Sequence, residues 1–517
     1  MPKIPSYIKA TKTLSLVEKI GQLFMPAAFI NDTETEIQAL ENLIKEACIG
    51  GLCFFHSRAS AATNFEGKKE IVYNQHSLIT LKKLIARYQA AAKYPLLISI
   101  DAEWGLAMRM ENTPQYPYAI TLGAITDNNK LIYDVGRNIA HDCKVAGIHW
   151  NLAPVVDINN NPDNPVIGYR SFGASKTNVL QKAKAFIEGA KSEGVLSCIK
   201  HFPGHGDTAT DSHLGLPIIK KTKEELWNNE LYPFKELIQE GIEAVMVGHL
   251  AVPALSNGKA ISATISKDII KGVLRNELGF TGVVISDALN MHSVSKNFPT
   301  KGDLEWHAFD AGNDVLCFAE HPKEGIATIL KNAKNHQIEA SFKRVWELKQ
   351  KAYQQGAISN ATSLTNAYTL NTKLAHESLT LLKGTEAEIG RFITVPYKTI
   401  LLKPEGDKTA RELHVRQLAK EIAEADHVVL QLHPPQVKPK GNFGFSALEI
   451  DFINGLLATK KVMLYLYGNP YALNILQSLE ADIIVIVYQK LPSFEQHGAD
   501  HLNRKVIAKG QLPVSLK

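Results

Sequence analysis

The chain has 517 residues, 45% of them hydrophobic and 21% charged, with a net charge of +5. That is length for two or three globular domains, and a charge so dilute argues against nucleic acid or an anionic membrane as partner. No apolar run is long enough to span a bilayer. The opening MPKIPSYIKATKTLSLVEKIGQLFM has no apolar signal-peptide core, so a cytoplasmic location is expected. Cys48, Cys53, Cys143, Cys198 and Cys317 form no CxxC pair and sit mostly in apolar runs. They read as buried free thiols in a reducing compartment, not as a disulfide framework or a zinc site.

In chain order, Ser15 and Glu18 form a capping box that starts a short helix at 16–20. The apolar run 23–25 follows, and further short apolar strands are predicted at 52–55, 96–100, 148–152, 196–200, 244–247, 283–286 and 315–318. Segments of helical period separate them at 36–47, 78–92, 132–146, 178–193, 223–240, 267–278 and 304–311. Apolar strands alternating with helices predict a parallel sheet. Eight such strands predict an α/β fold, a (β/α)8 TIM-type barrel over residues 1–354. A helix at 338–354 closes it. Residues 355–371, rich in Ser, Thr and Asn, read as a linker. Five more strands, at 378–382, 399–402, 427–432, 462–467 and 483–488, predict a smaller C-terminal α/β sandwich domain over 372–517.

In such a barrel the chemistry gathers at the C-terminal ends of the strands. Asp101, Asp157, Lys200 with His201, His249 and Asp287 each end or closely follow a different predicted strand. The densest stretch is KHFPGHGDTATDSHLGLP at 200–217, with His201, His205, His213, Asp207 and Asp211. So many titratable groups at a strand mouth are typical of a catalytic loop. Asp287 is a candidate nucleophile or general base, or else a helix N-cap. Asp211 lies two residues from His213, a spacing that lets a carboxylate orient an imidazole for proton transfer; a surface turn is the bland alternative. Lys200, Arg109 and Arg170 are donors suited to sugar hydroxyls or anions. His201, His205, Asp207 and His213 offer metal-ligand chemistry, but no HExxH or paired-carboxylate pattern accompanies them. No metal and no cofactor are expected.

The 200–217 stretch resembles the signature of family 3 glycoside hydrolases, in the β-N-acetylglucosaminidase branch. Asp101-Ala102-Glu103-Trp104-Gly105 followed by Arg109 resembles the family's D-x-E-G-G segment and its arginine. Pro154-Val155-Val156-Asp157, Tyr169-Arg170-Ser171-Phe172 and Ser286-Asp287-Ala288-Leu289-Asn290-Met291 resemble three further family segments. Residues 16–23 resemble the family's opening segment, and 378–383 and 510–515 agree more weakly.

The resemblance implies a retaining exo-β-N-acetylglucosaminidase acting on peptidoglycan fragments. Asp287 would be the nucleophile, and His213, oriented by Asp211, the acid and then base. Asp101, Arg109, Arg170, Lys200 and His201 would bind the sugar. Trp104 stands where the family commonly has glycine, which bears on the aglycone it accepts or marks a packing residue. A phosphorylase of the same fold is the alternative, since a histidine acid/base tolerates an anionic nucleophile. A sugar-binding protein with a dead site is disfavoured, because Asp287 and the Asp211–His213 pair are all present.

Overall fold

In the computed structural model, residues 4–58, 72–208, 215–355 and 363–517 are described. The chain forms two compact units, neither contiguous in sequence. The first comprises Met1–Tyr116, Tyr133–Ile158 and Ala183–Thr365; the second comprises Pro117–Ile132, Asn159–Lys182 and Asn366–Lys517.

The first unit begins with the predicted capping box. Ser15 accepts from the Glu18 N–H at 3.3 Å, and Glu18 Oε2 accepts from the Ser15 N–H at 2.8 Å. The strands of this unit are β1 (Phe24–Met25), β2 (Ala27–Phe29), β3 (Gly51–Phe55), β4 (Leu97–Ile100), β5 (Trp150–Asn151), β6 (Leu196–Ser197), β7 (Ile199–Phe202), β8 (Ala244–Val247), β9 (Val283–Ser286) and β10 (Leu316–Cys317). All their pairings are parallel, in three ladders: β2-β3-β4-β5-β6, β7-β8-β9 and β1-β10.

The ladders follow one another around the TIM-type barrel. β1 and β2 are one extended run interrupted at Pro26, which has no N–H to give. β6 and β7 are one run interrupted at Cys198. A parallel bridge from Ile285 to Val315 links β9 toward β10. The strand order is thus cyclic, although no single hydrogen-bonded ladder closes. Every residue of β3, β4, β8 and β9 is buried, as expected for strands covered on both faces.

The predicted helices are present with two differences, and the helices Tyr7–Thr13 and Pro322–Asn332 join them unpredicted. The stretch read as one helix at 223–240 is two, Lys223–Asn228 and Tyr232–Gln239, the second with proline in its first turn. The stretch at 267–278 is wound as a π-helix, Asp268–Glu277, with the Leu278 N–H reaching the Val273 carbonyl at 2.9 Å. The wider winding still buries Ile269, Ile270, Val273 and Leu274. All five cysteines are buried free thiols.

The second unit holds a five-stranded sheet: β11 (Thr380–Lys383), β12 (Lys398–Leu402), β13 (His427–Leu432), β14 (Lys461–Leu466) and β15 (Ile483–Ile486), in the order β11-β15-β14-β13-β12. β11 is antiparallel to β15 and the other pairings are parallel. Crossover helices Lys408–Glu421 and Ala447–Thr459 connect β12 to β13 and β13 to β14.

Two details depart from a linear division of the chain. Residues 117–132 and 159–182, which follow barrel strands in sequence, belong to the second unit. The Asn178 amide donates to the Gly123 carbonyl at 3.0 Å, and the Asn159 amide to the Tyr471 hydroxyl at 2.6 Å. Residues 367–371, read as linker, instead open the helix Ala367–Ser378, because Asn366 caps it by accepting from the Tyr368 N–H. Residues 356–362 of that stretch lie outside the described residues.

Candidate active site

The strand ends of the first unit converge as the alternation of strands and helices predicts. Asp101 follows β4. Its Oδ1 accepts from Lys200 Nζ at 2.8 Å, and its Oδ2 from Arg109 Nη2 at 2.8 Å. Lys200 also reaches Glu103 Oε1 at 2.8 Å, so one buried ammonium bridges two carboxylates. Burial opposes the charge on Asp101, but Lys200 and Arg109 outweigh it and hold the carboxyl below its ordinary range. The Arg109 guanidinium lies 4.9 Å from the centre of the Phe55 ring at the end of β3, which fixes its plane. Phe55 is in turn packed against Phe318, just past β10, at 5.1 Å.

Asp157 anchors the neighbouring loop. Its side chain is fully buried. It accepts from the His201 N–H at 3.1 Å, from His201 Nδ1 at 2.7 Å and from the His205 N–H at 2.7 Å. Burial works against this carboxylate too, yet the adjacent His201 and its other donors keep it below the usual range. The bond occupies His201 Nδ1 and orients its imidazole. His205 donates to or accepts from Thr208 Oγ1 at 2.8 Å, and burial lowers its pKa to about 4, so it is neutral.

Asp287 follows β9 and is partly exposed. It caps no helix, since the next one, His292–Ser295, starts later. Burial opposes its charge, but His249, His201, the Ala288 N–H and Lys200 push its pKa down to about 2. Asp287 is therefore an ionised carboxylate that accepts from the Ala288 N–H and lies near Lys200, His201 and His249, at the same end of the barrel as Asp101.

The structure thus brings Asp101, Arg109, Lys200, His201 and Asp287 to one set of strand ends. Arg170 belongs to the second unit, at the end of the turn Gly168–Arg170. Asp211 and His213 lie outside the described residues. Trp104 is half-buried, and its carbonyl accepts from the Tyr116 N–H at 2.9 Å. Among the described residues no group of three or more His, Cys, Asp or Glu side chains is arranged to hold a metal ion. Of the metal-reading residues, His201 is held by Asp157, His205 by Thr208, and Asp207 pairs with Lys221 at 2.8 Å. Also among the described residues, no helix is long and apolar enough to cross a membrane.

Three residues matter more here than the sequence assigned them: Glu103, Asp157 and His249. Asp157 and His249 carried the strand-end signal, and Glu103 sat inside a recognised segment. What the sequence lacked was the pairing, because each partner lies on a different strand.

Residues 15–348 match the model of the glycosyl hydrolase family 3 N terminal domain. The chain is 33% identical over 355 residues to the beta-hexosaminidase A of Pseudoalteromonas piscicida, an alignment spanning 62% of this chain and 57% of that protein. It thus spans little more than half the length of that relative. Among solved structures it is similar to a glycoside hydrolase family 3 beta-N-acetylglucosaminidase from Paenibacillus sp. str. FPU-7. That match has a TM-score of 0.79 and 29% identity, and covers 97% of this chain and 99% of the other. A beta-glucoside phosphorylase shares the fold at a TM-score of 0.79 and 19% identity, covering 98% of this chain and 95% of its own.

Proposed function

The chain belongs to glycosyl hydrolase family 3, and from that premise we propose that it is a retaining exo-β-N-acetylglucosaminidase acting on peptidoglycan fragments. The observation that carries this reading is Asp287, an ionised carboxylate with its pKa near 2, at a strand end beside His201 and Lys200. A nucleophile must be ionised at working pH, and this one is. One of its oxygens attacks the anomeric carbon while the bond to the aglycone oxygen breaks. His213, oriented by Asp211, gives that oxygen a proton. The same imidazole then takes a proton from water, which releases the sugar from Asp287 with its anomeric configuration retained. Asp101, held by Lys200 and Arg109, presents acceptors to sugar hydroxyls, and His201 offers Nε2.

The likeness to named beta-hexosaminidases and to a beta-N-acetylglucosaminidase supports the substrate class. Five buried free thiols fit a reducing compartment and therefore cytoplasmic recycling of wall fragments.

Asp287→Ala is expected to lower turnover of a chromogenic N-acetylglucosaminide by about 10⁴-fold or more while the melting temperature holds. A fluorinated N-acetylglucosaminyl fluoride should leave its mass on the peptide containing Asp287. An inverted first product, or label elsewhere, would sink the mechanism. N-acetylglucosamine 1-phosphate as the main product in phosphate buffer would establish a phosphorylase instead.

A further inference from the structure

We infer that His249 is a positioning residue for Asp287, acting through the Ala288 peptide; this rests on Asp287 being the nucleophile. His249 is 0% exposed and stands just past β8. The Ala288 carbonyl lies 2.9 Å from His249 Nε2. A carbonyl only accepts, so Nε2 carries a hydrogen and donates it. On the other side of the ring, Nδ1 meets Thr264 Oγ1 at 2.7 Å. Thr264 is itself buried, and its hydroxyl lies 3.1 Å from the Gly248 carbonyl and 3.4 Å from the Val247 carbonyl.

The Val247 carbonyl in turn accepts from the Asp287 N–H at 2.9 Å. Asp287 is therefore enclosed in a ring of hydrogen bonds. Its N–H is tied to β8, the next carbonyl is tied to His249, and His249 is tied back to β8 through Thr264. Within this ring the Ala288 N–H donates to Asp287 Oδ1 at 2.8 Å. The orientation of that N–H depends on where the Ala288 residue sits, which His249 and the Met291 N–H, at 3.1 Å from the Ala288 carbonyl, define together.

The Thr264 hydroxyl has one proton to give. If it donates to the Gly248 carbonyl, the link back to β8 is made and Nδ1 carries a hydrogen that it donates to Thr264; if it donates to Nδ1, the imidazole is neutral and the tie to Gly248 is given up. Gly248 makes the arrangement possible, because a Cβ there would come within 3.0 Å of His201 Cβ.

Three variants separate the two contacts. A glutamine amide nitrogen sits where Nε2 does, an asparagine amide where Nδ1 does, and leucine offers neither. His249→Leu and His249→Asn are expected to lose about 100-fold in kcat/KM, the scale of a nucleophile misplaced by an ångström. His249→Gln should recover at least tenfold of that loss. The loss should be equal for substrates with good and poor leaving groups, because attack by Asp287 limits both. Inhibition by free N-acetylglucosamine should stay within about threefold of the parent, because the pocket is untouched.

A glutamine variant as poor as leucine would overturn the inference. So would a loss that grows with leaving-group basicity, which marks a role in proton transfer, or product inhibition weakened in step with kcat/KM, which marks binding. If the His249 variants fail to fold, Thr264→Val carries the test. It should lower kcat about tenfold with KM unchanged, and a parental kcat there overturns the proposal. Asp287→Ala runs alongside: activity there removes the nucleophile assignment itself, whereas an inactive Asp287→Ala beside fully active His249 variants removes only the inference.

Discussion

Lys200 and Lys349 are the same side chain in two opposite settings. They are 1% and 0% exposed, so each buries an ammonium completely. Lys200 ends at the mouth of the barrel between Asp101 and Glu103, each at 2.8 Å. Lys349, on the helix Asn335–Gln355, meets Gln22 Oε1 at 2.6 Å, next to groups that precede strands at the barrel floor. Burial lowers the Lys349 pKa to about 7, and the same burial takes nearby His149 to about 4. At the mouth the protein keeps its charges by pairing them across strands. At the floor Lys349 meets a neutral amide, and burial pushes it and His149 toward their neutral forms. A buried charge is retained where an opposite charge pairs with it, as also at Asp314 with Arg275 and Arg344, and desolvation opposes it where none does.

The largest effect expected from breaking this contrast is at the mouth. Lys200→Met leaves Asp101 and Glu103 facing each other in a buried site. It should cost about 3–5 kcal/mol in denaturant unfolding and abolish turnover. Asp157→Asn comes next. The amide keeps one acceptor for the three donors from His201 and His205, and kcat/KM should fall about 10- to 100-fold while secondary structure by circular dichroism is unchanged.

The floor should answer to pH. Because the folded pKa of Lys349 lies below its unfolded value, the unfolded chain holds the extra proton between about pH 7 and 10.5. Stability contributed by this group is therefore full above pH 10.5 and is lost as pH falls toward 7, by up to about 1.4 kcal/mol per unit. Lys349→Met should remove that slope from urea midpoints measured across the range, and a slope that persists unchanged would show that other groups carry it. The mouth loses stability in the same direction but in a more acid range. Asp101, Asp157 and Asp287 are all held below their ordinary values, so their contribution is full above about pH 4 and drains away as pH falls through their folded pKa values, about 2 for Asp287. The smallest effect belongs to the surface. Lys323→Ala, which breaks a pair with Glu46 that is 59% exposed on both sides, should shift stability by no more than about 0.5 kcal/mol.

The mouth was legible in the sequence and the floor was not. Asp101, Lys200, His201 and Asp287 each follow a short apolar run, and the alternation of runs and helices places such residues at one end. Lys349 follows Trp346 and Leu348 in a helical pattern, and nothing in that pattern marks one of its lysines as buried. Only the packing of that helix against the strand starts turns it inward. The pairing of Lys200 with Glu103 was hidden for the same reason: separation along the chain carries no information about which strand ends meet. The interleaving of the two units was also invisible, because residues 117–132 and 159–182 are punctuated like ordinary barrel connections.

That interleaving has a consequence for how the molecule comes off the ribosome. The Ala124 carbonyl accepts from the Gln511 N–H, and the Pro513 carbonyl from the Ala174 N–H, both at 2.9 Å. The early segments of the second unit therefore wait for their partners through the synthesis of nearly the whole chain. At elongation rates of roughly 5–20 residues per second that interval lasts tens of seconds. During it these two segments lack the C-terminal partners that they hydrogen-bond in the finished chain.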